Sequence, residues 1–440
     1  MSEGNSSNLI VNSNFSDGNI RQVPINWKVK GPRQSLTPQF ELVSKEDRNM
    51  LMISGNQNDN CVGCISQTLK VKCGKTYHMK VKFQVSEDVN PYNNLLVQIN
   101  LNNGFNNGIF HLKRLDDKWL EGENYFFIPG EEIVTGEINI YFKLSGRGRA
   151  WVQHVYFAEC ESIPQRNVDV ACVEGAASLE MWGRVLDSVG SQNVDLVLLP
   201  ETFNSTRYED AEPLNGSAAT LMSQKAKQYS MYVAGTFYHM DESKDCIYNT
   251  GLLFDRNGEM LGRYDKNHPY SQELLNGGVT PGTEIPVFET DFGTVGIMIC
   301  YDSWFTDVAE LLALKGAEII LFPSMGYYQS IMPARASDNC VRIVASSQDS
   351  PLGIWDTSGA EVRNPVADPT RHANCENTFS NVREQNIEGI KILIATLDLS
   401  QSPSPHNWGG PMLSAPGGRL NRREQKELLL DQIKAEMNRL

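Results

Sequence analysis

Three reactive side chains each follow a stretch of sequence that is predicted to be a strand. Glu201 comes directly after an apolar run, Lys266 follows the second strand of a predicted hairpin, and Cys300 ends another apolar run. The carboxyl ends of strands in α/β sheets are where ligands bind, because the loops there are free to vary. A carboxylate, an ammonium and a thiol at one such edge predict covalent acyl transfer.

Each of the three side chains has a predicted role in that reaction. A free thiol with a pKa of about 8.5 is only a few per cent thiolate at pH 7, so Cys300 needs a base. Glu201 is the predicted general base, and its conjugate acid would protonate the departing amine or ammonia. Lys266 and the backbone N–H of Tyr301 are predicted to stabilise the oxyanion. This chemistry requires no metal and no organic cofactor.

Each residue also has an ordinary structural interpretation. Cys300 taken alone is most simply a buried thiol. Glu201 would be favoured at a helix start by the helix dipole, and Lys266 would be a solvated lysine at the end of a hairpin. Their occurrence together favours catalysis.

The neighbouring polar and aromatic residues are predicted to have supporting roles. Asp302 is expected to cap the helix that follows the nucleophile. Trp304 is expected to shape the pocket wall, and His268 to order its loop. His406 is expected to belong to the structure of a C-terminal arm.

Residues 166–399 alternate between apolar strands and amphipathic helices. The turn of the predicted hairpin is Asp255-Arg256-Asn257-Gly258. Strands that are apolar on both faces, alternating with helices, indicate an α/β fold with a covered sheet. The strands are predicted over 168–173, 194–199, 232–237, 248–265 (the hairpin), 295–299, 318–322 and 342–346, and the helices over 177–189, 218–229 and 308–315.

These motifs resemble those of the carbon–nitrogen hydrolase family, also called the nitrilase superfamily. The family pattern is a Glu after an apolar strand, a Lys in a Lys-x-His context and a Cys after a strand. This chain has Leu198-Leu199-Pro200-Glu201, Lys266-Asn267-His268 and Ile299-Cys300-Tyr301-Asp302 in the same order, at similar separations. The resemblance covers about 166–399. It implies a four-layer α-β-β-α sandwich and dimers formed through the α/β domain.

The resemblance also implies a fourth site residue, a second glutamate after the lysine. Glu273 matches it, and Pro281-Gly282 matches the turn that follows, although Glu284 lies nearby. Glu273 would orient Lys266 or the substrate amide. Cys300-Tyr301-Asp302-Ser303-Trp304 is similar to the Cys-x-Asp-x-Trp of members that act on carbamoyl amines, but the following Thr306-Asp307 departs from the usual Pro-Glu.

Residues 8–161 have a different pattern, with many short alternating runs and turns between them. This pattern predicts an all-β sandwich of jelly-roll type. The run 8–15, Trp27 and the run 71–77 are similar to galactose-binding-type carbohydrate-binding modules, which implies a glycan as a candidate ligand. Trp27, Trp119 and Trp151 are more simply sandwich core. Cys61, Cys64 and Cys73 lack a fourth ligand at suitable spacing, so no zinc site is predicted.

The C-terminal residues 400–440 are predicted to form an arm and a helix. The arm, 401–419, is rich in Pro, Gly and Ser, and the helix, 420–440, carries Leu429, Ile433, Met437 and Leu440 on one face. Such a tail either packs on its own domain or reaches across a two-fold axis. We expect the second arrangement, and hence a homodimer or higher homo-oligomer.

Composition excludes several classes of protein. The 440 residues carry a net charge of −14 and the pI is about 5.1. An acidic chain without a basic stripe argues against nucleic-acid binding and against an anionic membrane as partner. The sequence contains no apolar run long enough to span a membrane, and its start has no signal-peptide pattern. Nine cysteines, an odd number, favour a reducing, cytoplasmic location.

The sequence therefore predicts a cysteine-dependent amidohydrolase that acts on a small amide or N-carbamoyl compound through a thioester acyl-enzyme. A nitrile hydrolase using the same thiol is one alternative. A glycan-binding protein with an inactive hydrolase domain is a second, and an ammonia-donating or acyl-transferring domain is a third.

Overall fold

The chain forms two compact units. The computed structural model describes residues 7–89, 91–109, 111–363 and 379–400. The first unit is formed by the chain up to Pro164, and the second runs from Gln165 to Leu399. The predicted arm and helix of 401–440, with His406, lie outside the described residues. No helix in the described ranges has both the length and the apolar character that a membrane crossing requires.

The first unit is built almost entirely from antiparallel strands. One sheet has the order β1-β4-β10-β6-β7 and the other β2-β3-β11-β5-β9-β8. The described elements are β1 Lys28–Lys30, β2 Gln39–Lys45, β3 Arg48–Ser54, β4 Val62–Lys72, β5 Lys75–Val85, α1 Pro91–Asn94, β6 Leu95–Leu101, β7 Asn106–Gly108, β8 His111–Arg114, β9 Leu120–Ile128, β10 Ile133–Lys143 and β11 Arg149–Cys160, with a 3₁₀ turn at Gln34–Leu36.

Alternation along the strands explains the core of this unit. In β5, Tyr77, Met79, Val81 and Phe83 are buried, and the residues between them are polar and more exposed. Because successive side chains of a strand point to opposite faces, this period of two places one apolar face of each sheet in a common core. The alternating runs in the sequence therefore predicted the longer strands such as β5 correctly, whereas β1, β2, β3, β7 and β8 were not predicted.

The candidate ligand residues of the first unit are mostly core residues. Trp27 and Trp119 are buried, and the indole N–H of Trp27 donates to the backbone carbonyl of Asn12 at 3.3 Å. Trp151 is half-buried, with the Lys45 ammonium 3.7 Å from its ring centroid. Cys61, Cys64 and Cys73 are buried in this unit, and Cys64 and Cys73 are free thiols.

The second unit alternates strands and helices around one large sheet. Its order is β16-β15-β14-β13-β12-β20-β19-β18-β17, with β21 on β20, β23 on β12 and β22 on β23. The elements are β12 Asn167–Glu174, α2 Leu179–Gly190, β13 Leu196–Leu198, α3 Ser217–Tyr229, β14 Tyr232–Asp241, β15 Cys246–Phe254, β16 Met260–Asp265, α4 Ser271–Leu275, β17 Val287–Glu289, β18 Thr294–Ile297, α5 Asp307–Leu314, β19 Ile319–Ser324, α6 Ile331–Asn339, β20 Arg342–Ser347, β21 Gly353–Trp355, β22 Phe379–Ile387 and β23 Ile390–Asp398, with 3₁₀ turns at Tyr208–Asp210 and Cys300–Trp304.

The large sheet consists of two arms that face one another. They join at a single register pair, Glu174 with Ser347. A Cβ added to Gly251 of β15 would lie 3.1 Å from Ile297 of β18, so the strands of opposite arms are in close contact. Side chains of both arms, with those of α5 and α6, form one apolar core. The arm that contains β12, β13, β14 and β15 has an outer face, and this face packs instead against α2 and α3.

Helix α2 shows how these elements position the site. Ser178 caps it by accepting the backbone N–H of Met181 at 3.3 Å, and the apolar residues at helical spacing are buried. Its buried Trp182 donates the indole N–H to the carbonyl of Phe203 at 2.9 Å, which holds the loop that follows Glu201. The predicted helices of this unit begin and end within about two residues of those in the structure.

Helix α6 and the strands β17, β21, β22 and β23 were missing from the predictions. Helix α6 contains Pro333 in its first turn, where the missing N–H has no intrahelical partner to lose. Its sequence shows no clear apolar period. Met332 and Ala336 are nevertheless buried, and Arg335 Nε donates to the Ser303 carbonyl at 3.1 Å. Tertiary packing rather than local propensity therefore stabilises this helix.

Candidate active site

Glu201 lies at the end of strand β13, where the chain leaves the sheet. It is 2% exposed, and the next residue, Thr202, has a φ of +46°. The backbone around it is fixed because Thr202 N–H donates to the Thr236 hydroxyl at 2.8 Å and Gln348 Nε2 donates to the Glu201 carbonyl at 2.6 Å. The backbone at Glu201 is thus fixed from two sides, by Thr236 of the adjacent strand β14 and by Gln348, which follows β20.

Lys266 follows β16 and is 1% exposed. Its ammonium donates to Glu201 Oε1 at 2.8 Å and to Glu273 Oε2 at 2.7 Å. Burial alone would lower the pKa of Lys266, but Glu201, Cys300 and Glu273 together raise that pKa well above its usual value. The ammonium therefore stays charged, which is the state that can stabilise an oxyanion.

Glu273 lies in the short helix α4 and is the glutamate that reaches Lys266. Its Oε2 also accepts the backbone N–H of Tyr270 at 2.7 Å, so the helix start fixes the carboxylate. Glu284, the other glutamate of this stretch, is exposed. Gly282 packs on the lysine loop, since a Cβ there would lie 2.1 Å from the Asp265 carbonyl oxygen.

Cys300 follows β18 and begins the 3₁₀ turn Cys300–Trp304. Its φ of +42° lies in the left-handed region, which a residue other than glycine adopts at a cost in backbone strain. The thiol lies 3.8 Å from the Gly326 carbonyl and within hydrogen-bonding reach of the Glu201 carboxylate and the Ser324 hydroxyl. Burial, and then the charge of Glu201, raise the pKa of Cys300 to about 12 despite the nearby Lys266. The resting thiol is therefore protonated.

An aromatic wall borders the nucleophile. Tyr301 directly follows Cys300, so its backbone N–H belongs to the first turn of the 3₁₀ segment, where such groups have no partner within the helix. Tyr301 makes an edge-to-face contact with Tyr270 at 5.3 Å between ring centroids. Trp304, half exposed, makes a similar contact with Tyr328 at 5.2 Å. Each pair contains one residue of the turn that Cys300 begins.

Asp302 and His268 connect the nucleophile loop to the lysine loop. Asp302 is fully buried, and its Oδ2 accepts the backbone N–H of Ile299 at 2.9 Å, so it caps the 3₁₀ turn that contains Cys300 and not, as predicted, the helix that follows, whose N-cap is Thr306. Its Oδ1 accepts the backbone N–H of His268 at 2.9 Å and lies 3.1 Å from the ring Nδ1. The ring Nε2 of His268 lies 3.3 Å from Asp307. His268 therefore orders its loop, as predicted.

Two contributors to the site were not predicted. Asn249 Nδ2 donates to Glu201 Oε1 and to Glu273 Oε1, both at 2.8 Å. The backbone N–H of Met325 donates to Glu201 Oε2 at 2.7 Å. The sequence does carry a signal for Asn249, because it is an amide inside a strand whose other residues are mostly apolar. It carries none for Met325, which contributes only a backbone group.

The structure thus brings together Glu201, Lys266, Cys300 and Glu273, and Tyr301 and Trp304 belong to the same 3₁₀ turn as Cys300. No cluster of three or more metal-ligating side chains occurs among the described residues. A thiol beside a carboxylate and a buried ammonium can attack a carbonyl carbon, pass its proton to the carboxylate and leave the developing negative charge near the ammonium.

Comparisons with known proteins relate the chain to hydrolases of carbon–nitrogen bonds. The Carbon-nitrogen hydrolase family model matches residues 166–348. A probable nitrilase of Schizosaccharomyces pombe is 32% identical over 41% of this chain and 74% of its own length. An N-carbamoylputrescine amidase of Oryza sativa subsp. japonica is 26% identical over 59% of this chain and 89% of its own length.

Two further proteins are similar to this chain over different shares of their own length. An omega-amidase of Xenopus laevis is 29% identical over 37% of this chain and 66% of its own length, so the match spans just under two thirds of that relative. The crystal structure of Nit3 of Saccharomyces cerevisiae, a member of the nitrilase superfamily, is 22% identical with a TM-score of 0.45, covering 55% of this chain and 93% of that one.

Proposed function

The chain belongs to the carbon–nitrogen hydrolase family, the hydrolases of non-peptide carbon–nitrogen bonds, and from this premise we propose that it hydrolyses a small amide or N-carbamoyl compound through a thioester acyl-enzyme. The observation that carries the proposal is the buried Lys266 ammonium, bound to the carboxylates of Glu201 and Glu273 on the sheet edge that holds the Cys300 thiol.

The first half of the proposed reaction forms the thioester. The Cys300 proton passes to Glu201 as the sulfur attacks the carbonyl carbon, so that an S–H bond breaks while O–H and S–C bonds form. The resulting oxyanion is stabilised by Lys266 and the backbone N–H of Tyr301. Glu201 then returns the proton to the nitrogen of the leaving amine or ammonia, and the C–N bond breaks.

The second half hydrolyses the thioester. Glu201, again a carboxylate, takes a proton from water, and the hydroxide attacks the same carbonyl carbon. The C–S bond breaks, and the proton returns to the Cys300 sulfur, so the enzyme is restored. Glu273 keeps the Lys266 ammonium in place through both halves. The raised thiol pKa supports this order of events, because thiolate forms only as the base takes the proton.

Two features favour a carbamoyl compound among the candidate substrates. The segment Cys300–Trp304 is similar to the motif of family members that act on carbamoyl amines, and one relative is named an N-carbamoylputrescine amidase. The wall formed by Tyr270, Tyr301, Trp304 and Tyr328 supplies apolar ring faces to the part of the substrate beyond the scissile bond.

The test is a screen of amides, N-carbamoyl compounds and nitriles, with ammonia and carbon dioxide measured together. Release of both from a carbamoyl compound would support the preferred substrate class, and release of ammonia alone from an amide would support a simple amidase. Acid formed from a nitrile but not from its amide would favour the nitrile hydrolase. Activity that persists in a Cys300→Ala variant would contradict the mechanism.

The proposal includes a finer architecture and an assembly. We assign the second unit to a four-layer α-β-β-α sandwich, which its facing sheet arms and outer helices support. We assign the first unit to a jelly-roll-like sandwich of carbohydrate-binding type, and the enzyme to a cytoplasmic homodimer. Truncation after Ser400 tests the dimer: a tail shared between subunits predicts a shift toward monomer in light scattering.

A further inference from the structure

We propose that Asn249 is a positioning residue, which directs the catalytic proton to Oε2 of Glu201. This inference rests on the proposed function, because it assigns a part in the same proton transfer. Asn249 is fully buried on β15. Its side chain lies between the two carboxylates that bind Lys266.

Asn249 and Lys266 together close a ring around the two carboxylates. Lys266 Nζ bonds to Glu201 Oε1 and Glu273 Oε2, while Asn249 Nδ2 bonds to Glu201 Oε1 and Glu273 Oε1. Both partners of the amide are acceptors, so only its nitrogen can face them. The backbone N–H of Lys266 donates to the Asn249 carbonyl at 2.9 Å, which fixes the two residues side by side.

This ring leaves the two oxygens of Glu201 in different states. A carboxylate oxygen offers about two lone-pair positions. Oε1 already accepts two hydrogen bonds, from Lys266 and Asn249, whereas Oε2 accepts one, from the backbone N–H of Met325. The Cys300 proton therefore goes to Oε2, and from there to the leaving nitrogen. Without Asn249, Oε1 would have a free lone-pair position and would compete with Oε2 for that proton.

The neutral charge of Asn249 is part of this function. Asn249 lies among two buried carboxylates and one ammonium. Its amide bridges the two carboxylates by donating to both without adding a charge to the ring. The geometry leaves the Asn249 Oδ1 buried and, among the described residues, without a hydrogen-bond partner. Such an orphaned acceptor is unfavourable, so a purely structural role does not account for an amide here.

The informative variant is Asn249→Asp, which is isosteric and replaces the donor amide nitrogen by an acceptor oxygen. We expect kcat at pH 8 to fall about 10²-fold with little change in KM, because the variant displaces the general base and leaves substrate binding unchanged. Part of the rate should return as the pH falls, because the introduced carboxyl group, once protonated, can donate to one of the two glutamates again. Asn249→Ala should lose activity without such recovery.

A second measurement is independent of any substrate. Iodoacetamide labelling of Cys300, followed by peptide mass spectrometry, reports thiolate formation. The carboxylate that Asn249→Asp introduces beside Glu201 adds a negative charge to the site, which disfavours formation of the Cys300 thiolate. Labelling of this variant at pH 8 should therefore be about tenfold slower than that of the wild type. The matched control is Thr250→Val, which removes the buried bond of the neighbouring hydroxyl to Asp265 and leaves the carboxylate ring intact. Its labelling rate and pH profile should equal those of the wild type.

The outcomes separate this inference from the proposed function. If Asn249→Asp has the labelling rate and the pH profile of the wild type, the role of Asn249 is overturned. It is also overturned if Thr250→Val shows the slower labelling and the altered pH profile that are expected of Asn249→Asp. If the wild type hydrolyses no substrate of the screen but Asn249→Asp still slows Cys300 labelling, then the proposed function fails and the role of Asn249 stands.

Discussion

The phenol of Tyr264 donates a hydrogen bond of 2.7 Å to Oδ2 of Asp302, and this bond joins the lysine loop to the nucleophile loop. Both side chains are buried, and the Tyr264 hydroxyl also accepts the backbone N–H of Asn267 at 3.2 Å. The distance between Lys266 and Cys300 therefore depends on a bond that neither residue makes itself.

Replacing Tyr264 by Phe should lower both stability and activity. The change removes a donor and leaves a buried carboxylate oxygen with one partner fewer, which typically costs about 1–3 kcal/mol. We expect a lower melting temperature and a kcat reduced by about tenfold as the two loops separate. Tyr229→Phe is the control, because it removes an equivalent phenol–carboxylate bond, to Asp187, that lies outside these loops. An unchanged kcat in Tyr264→Phe would show that the loops are positioned by other contacts.

Replacing Glu201 by Gln should leave the fold intact and reduce turnover by roughly 10³-fold or more, since members of a catalytic unit fail together. The amide can still approach Lys266 and Met325 but cannot accept the thiol proton. Steady-state kinetics on the best substrate of the screen would measure the loss, with Glu284→Gln as the control at an exposed site. Full activity in Glu201→Gln would remove this carboxylate from the mechanism.

The sequence predicted those site residues whose position depends only on the strand that precedes them. Glu201 and Cys300 each follow an apolar run and Lys266 follows the second strand of a hairpin, so their place at the sheet edge could be predicted from the pattern of strands. Asn249 could not, because its importance arises only when β15 pairs with β16 and brings it beside Lys266. The Met325 N–H carries no side-chain signal at all. Helix α6 was missed because its burial, rather than its own apolar period, stabilises it.

Cys300 should be the cysteine whose loss abolishes hydrolysis. Cys300→Ala removes the nucleophile, and we expect turnover to fall by at least about 10⁴-fold, while the melting temperature changes little. The half-buried Cys340 provides the control, since Cys340→Ala removes a comparable thiol that lies in neither catalytic loop. A substrate-like thiol probe should label the wild type and Cys340→Ala but spare Cys300→Ala. Labelling that fails in the wild type would instead favour an inactive hydrolase unit.

The stability of the protein should depend on pH through His268. The hydrogen bond to Asp302 raises the pKa of His268 above its ordinary value, against the effect of burial, and the nearby Asp307 raises it further. A group whose folded-state pKa is raised contributes stability that is fully present below its unfolded pKa, about 6.5, and is lost as the pH rises through the higher folded value.

Melting temperatures of the wild type and His268→Gln, measured between pH 5.5 and 8.5, give the test. The range covers the ordinary histidine pKa of about 6.5 and the values above it. We expect the wild type to be the more stable at the acidic end, and the difference to shrink toward the alkaline end. Asp307→Asn should retain part of the effect, because it keeps the contacts of His268 with Asp302. A difference that stays constant across the range, or grows with pH, would mean that His268 is neutral in the folded protein and contributes through its hydrogen bonds alone.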